Sequence, residues 1–158
     1  MAARRGERQA ALYEAEARSV SPLGRRWRRI PEVQRYVDGL IGGDWFGARW
    51  PHLLRCTVER RGGGARWSTF QALDTDGPGG AATEGVLLLA PAGLDQPTVL
   101  HELAHLVLPA GVGHARPFAE VLLSLVRHEM GFFAYAELRR ELRRVDGFSG
   151  IDSYTAAG

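Results

Sequence analysis

Thr98-Val99-Leu100-His101-Glu102-Leu103-Ala104-His105-Leu106-Val107-Leu108 sets two histidines four residues apart in an otherwise apolar run. On an α-helix that spacing turns both imidazoles to one face, about 6 Å apart along the axis. Both can then grip one metal ion, while the Glu between them can reach a metal-bound water. With five His and 11 Glu in 158 residues, H-E-x-x-H arises by chance in roughly one such sequence per hundred. Leu100, Leu103, Leu106 and Val107 would seat the helix in a core. Two His and a Glu buried there without a partner would be costly, and zinc is the partner that the pattern implies.

The flanks agree with a helix set against a sheet. Upstream, Gly85-Val-Leu-Leu-Leu-Ala90 is apolar on both faces and reads as a buried strand. Two further strands are expected at Leu53–Arg60 and Ala65–Leu73, separated by Gly62-Gly63-Gly64. Asp74 and Asp76 precede a glycine-rich loop but lack the remaining ligands of a calcium site, so a plain turn is expected. Asp95 or Thr98 can cap the motif helix, with Pro97 in its first turn. Pro109, Gly111 and Gly113 break it.

A long helix follows from about Pro117, with Phe118, Val121, Leu122, Leu125 and Val126 on one stripe. Gly131 interrupts it, and Tyr135, Leu138, Leu142 and Val145 stripe a last helix. At the other end, a helix from about Glu7 to Arg18 stops at Ser21-Pro22-Leu23-Gly24. A second runs from Pro31 to Ile41, and Asp44–Pro51 is an aromatic connection whose Trp and Phe should plug a core. The expected class is α+β: a short, mainly antiparallel sheet of about three strands backing the motif helix, with helices at both ends. The length suits one domain over residues 1–158. Its ordered core is expected at about 7–146, and residues 147–158, small and polar, as a flexible tail.

Bulk properties narrow the setting. No apolar run is long enough to cross a membrane, and no apolar segment follows the basic N-terminal residues as in a secretory signal. The single Cys56 cannot form an internal disulfide, which fits a cytoplasmic protein. All 20 basic residues are Arg, and Lys and Asn are both missing, a composition that a GC-rich genome explains. Residues 1–66 carry 14 Arg against seven acids, and residues 67–158 carry six against 11. The basic half, with Arg25-Arg26-Trp27-Arg28-Arg29 inside it, admits a nucleic-acid partner. A solvated Arg-rich surface with one anchoring Trp is the favoured alternative.

A catalytic zinc needs a third protein ligand and one open position. The metzincin spacing would demand Gly at 108 and His at 111, where this chain has Leu108 and Gly111. A carboxylate on a later helix would make Glu120 or Glu129 the ligand. His114 is preferred, because the Pro109–Gly113 break lets the chain turn back and present it. His128 and His52 are more remote candidates.

His101-Glu102-Leu103-Ala104-His105, a short loop, then Gly113-His114-Ala115-Arg116-Pro117-Phe118 resembles the SprT-like zincin metallopeptidase pattern, H-E-x-x-H followed by His-Gly-x-x-Phe. The resemblance implies His101, His105 and His114 as zinc ligands, Glu102 as the catalytic residue and Phe118 as a packing residue one turn on. Ala115 stands where that pattern has Gly. The wider chain is similar to a group of metallohydrolases from actinobacteria and their phages. The similarity lies in Tyr13-Glu14-Ala15-Glu16, Val33-Gln34-Arg35-Tyr36-Val37-Asp38, the Trp-containing connection, the motif and Val126-Arg127-His128-Glu129-Met130-Gly131. It spans most of residues 7–145 and implies a small zincin-like domain, but names no substrate.

The expected chemistry is hydrolysis with one Zn2+ per chain. Zinc lowers the pKa of its water and polarises a carbonyl, while Glu102 takes the proton and passes it to the leaving group. A protein or peptide substrate is the leading expectation. A non-peptide amide or ester, or a non-catalytic zinc-stabilised binding protein, is the alternative. Tyr135, Arg116 and His128 are candidates to stabilise the oxyanion.

Overall fold

The computed structural model describes residues 2–153. In chain order its principal elements are α1 (Ala2–Ser19), α2 (Ile30–Ile41), α3 (Asp44–Arg49), β1 (Arg55–Arg60), β2 (Thr69–Asp74), β3 (Glu84–Leu89), α4 (Gln96–Leu106), α5 (Arg116–Met130) and α6 (Phe132–Leu142). The class is α+β, with a three-stranded sheet and helices at both ends. The described residues divide into two compact units, one of residues 25–111 and one of the described residues before 25 and after 111.

Residues 25–111 hold the sheet, whose order is β1-β3-β2. β1 pairs parallel with β3 and β2 antiparallel with it, so the sheet is mixed rather than mainly antiparallel. The cause lies in β3. Its Val86, Leu87 and Leu89 are buried and Leu88 partly so, and a strand apolar on both faces gains most from the central position. β1 and β2 therefore flank it instead of pairing across the glycines.

The two sheet edges differ. Along the outer edge of β1, the Gln34 side chain of α2 donates to the Cys56 carbonyl at 2.9 Å and accepts from the Val58 amide at 2.7 Å. One amide thus stands in for a neighbouring strand and blunts that edge. Among the described residues no strand pairs with the outer edge of β2.

The motif helix α4 packs on β2 and β3. Its close approach depends on Gly85, where an added Cβ would lie 2.7 Å from both Leu106 methyl carbons. Asp95 caps α4, accepting from the Thr98 amide at 3.0 Å, and Pro97 sits in the first turn as expected. The Arg25–Trp27 segment is tied to this end: the Trp27 amide donates to the Leu94 carbonyl and the Gln96 amide to the Arg25 carbonyl, both at 2.8 Å. Trp27 leans on Tyr36 with ring centroids 4.8 Å apart, while Arg25, Arg26, Arg28 and Arg29 are exposed. The aromatic connection forms the short helix α3. Its Phe46 and the following Trp50 are buried, whereas Trp45 is only partly so. The Asp74 loop is a plain turn, closed by the Asp76 amide on Asp74 at 3.0 Å.

In the other unit, α6 packs against α1 and α5. Gly131, at φ 91°, separates α5 from α6 in a conformation that suits glycine. Phe118, Leu122, Leu125, Leu138 and Leu142 are fully buried, matching the stripes read from the sequence, and Leu12 of α1 is fully buried as well. After α6 the chain has its own anchors, since Phe148 and Ile151 are also fully buried. The Ser149 carbonyl accepts from Arg116, and the Ile151 carbonyl from Arg139. The last part of the expected flexible tail, 154–158, lies outside the described residues.

Candidate metal centre

α4 is buried almost all round. Nine of its 11 residues are buried, including His101 and Glu102, which are 3% and 5% exposed. Apolar Val99, Leu100, Leu103 and Leu106 anchor the helix and leave it no freedom to turn the polar pair outward. His105, one turn beyond His101, is half-buried. The two imidazoles meet edge to face with centroids 5.1 Å apart and an interplanar angle of 66°.

His114 lies just before α5, after the Pro109–Gly113 break, and is half-buried. Its ring meets Phe118 edge to face at 5.0 Å, the one-turn packing that the sequence pattern implied. Tyr13 of α1 makes a second edge contact at 5.6 Å. Each of His101, His105 and His114 offers a ring nitrogen within 4.8 Å of those of the other two, a group that could hold a metal ion. Among the described residues it is the only such group of His, Cys, Asp or Glu side chains.

The other ligand candidates are engaged elsewhere. Glu120 accepts from Arg116 Nε at 2.9 Å, and Glu129 lies 3.6 Å from His128. His52 Nε2 is 3.0 Å from the Val107 carbonyl. Of the groups considered for the oxyanion, Arg116 holds Glu120 and the Ser149 carbonyl. The Tyr135 hydroxyl donates to Asp152. Burial and the Asp152 carboxylate together raise the pKa of Tyr135. The tyrosine hydrogen bond and the Ser153 amide hold Asp152 below the usual carboxylate range. Tyr135 thus anchors the chain after α6.

Two aromatic neighbours escaped the sequence reading. Tyr13 is one. The other is Phe70 on β2, whose ring stacks face to face on His105 with centroids 4.8 Å apart and planes 15° apart. Neither lies within the motif, and only the fold brings Phe70 to His105.

No family model matches the chain, and neither a curated protein nor a solved structure matches it.

Proposed function

We propose that this chain is a zinc-dependent metallohydrolase, most simply a peptidase, with His101, His105 and His114 as ligands and Glu102 as general base and acid. The observation that carries the reading is the convergence of three imidazoles beside a buried glutamate. Their chemistry fits zinc, which takes neutral imidazole readily and in structural sites fills all four positions with protein ligands. Three imidazoles are the set that a catalytic zinc takes when water would fill its fourth position.

Zinc bound there supplies Lewis acidity, activating water near neutral pH and polarising a scissile carbonyl. The protein's own part is positional. The buried turn of α4 fixes His101, Glu102 and His105 relative to one another, and Phe118 and Tyr13 flank His114. Glu102 takes the proton from the attacking water and returns it to the departing amine.

The outer edge of β2, with which no strand pairs among the described residues, supports a peptide over a small ester, since an extended chain can add to such an edge through backbone hydrogen bonds. β2 packs against the helix that carries Glu102. The SprT-like reading rests on the same residues, and a buried, unbridged Cys56 fits a cytoplasmic setting. Among the described residues no helix is long and apolar enough to cross a membrane.

The test is Glu102→Gln, assayed on an unfolded protein substrate. The variant should keep its zinc and lose at least about 100-fold in turnover, the usual contribution of a general base. Undiminished turnover would remove Glu102 from the mechanism.

A further inference from the structure

We propose that Phe70 is a positioning residue for His105: its ring fixes the plane of that imidazole and so strengthens the grip of the three-histidine group on a metal ion. The inference rests on the metal-site reading above and extends it to a strand outside the H-E-x-x-H motif.

The geometry begins with β2. Phe70 pairs in register with Leu87 of the central strand β3, and Leu87 is fully buried. That pairing fixes the Phe70 backbone, and the packing of α4 on β2 brings His105 to its ring. The two planes lie 15° apart at 4.8 Å, which is stacking rather than casual contact. His101 approaches the same imidazole edge-on. His105 therefore meets one ring face to face and a second at a steep angle.

The physical need is specific. The torsion that turns an imidazole about its own bond is broad, so a half-buried histidine can swing its nitrogens without leaving a rotamer well. Stacking on a flat ring narrows the range of that torsion. Groups that orient a metal-bound histidine commonly change metal affinity by about 10- to 100-fold. Phe70 is 36% exposed, so its ring is not simply filling a core. Its neighbours Trp67 and Leu73 are more exposed still, at 70% and 56%.

The experiment compares zinc affinity, by competition with a chromogenic chelator, in wild type, Phe70→Leu, Phe70→Met and Phe70→Tyr. The aliphatic variants keep apolar bulk but lose the flat face, and should bind zinc about tenfold more weakly. Phe70→Tyr keeps the face and should bind like wild type. In metal-free protein, the His105 Hε1 resonance should be shifted upfield by the Phe70 ring current, and the shift should vanish in Phe70→Leu. Unchanged affinity in both aliphatic variants would overturn the inference while leaving the metal site standing. So would a Phe70→Tyr variant as weak as Phe70→Leu. A loss of affinity matched by a loss of metal-free thermal stability in both aliphatic variants marks a merely structural role and also overturns it. A wild type that binds no zinc overturns the metal-site reading, and this inference with it.

Discussion

The pairing of His101 with His105 was legible because helical spacing is local: four residues and a 100° turn put two imidazoles on one face whatever the fold around them. His114 was legible more indirectly, through the Pro109–Gly113 break that ends α4 before it. Phe70 and Tyr13 were not legible, because what makes them neighbours of the site histidines is tertiary packing, not spacing along the chain. Cys56 gives a separate test at this scale. Burial on β1 pushes its thiol up to about 12, with Asp38 adding to the effect. In the unfolded chain the pKa returns to about 8.5, so this thiol's contribution to stability is complete below that pH and declines as pH rises above it. A disulfide reagent at pH 8 should leave the native protein unmodified and titrate about one thiol per chain in denaturant. Fast reaction of the native protein would contradict the burial of β1.

At the scale of elements, the helices were read closely because their apolar stripes repeat over several turns. α2 was expected from Pro31 to Ile41 and runs from Ile30 to Ile41. The strands were located, but their order was not. Six-residue segments carry no signal of which strand they will pair with, and only the two-sided apolar character of β3 hinted at its central place. The motif helix depends on its first turn, where Asp95 accepts from both the amide and the hydroxyl of Thr98 at 3.0 Å. Asp95→Ala leaves that amide without its cap and should lower stability by about 1 kcal/mol in urea unfolding. A change within error would mean that the ties between Arg25 and Gln96 hold this end unaided.

For the whole molecule, the Arg excess in residues 1–66 says little about fold, and four of those Arg stand exposed in the segment tied to the start of α4. The proposed chemistry rests on one buried helix and the histidine beyond its end, whose three imidazoles could hold a metal ion. Metal content tests that claim most directly. Protein purified at neutral pH without chelator, measured by elemental mass spectrometry, should carry about one zinc per chain. The triple variant His101→Ala, His105→Ala, His114→Ala should carry none. A folded wild-type protein that neither retains zinc nor takes it up on titration would contradict the account.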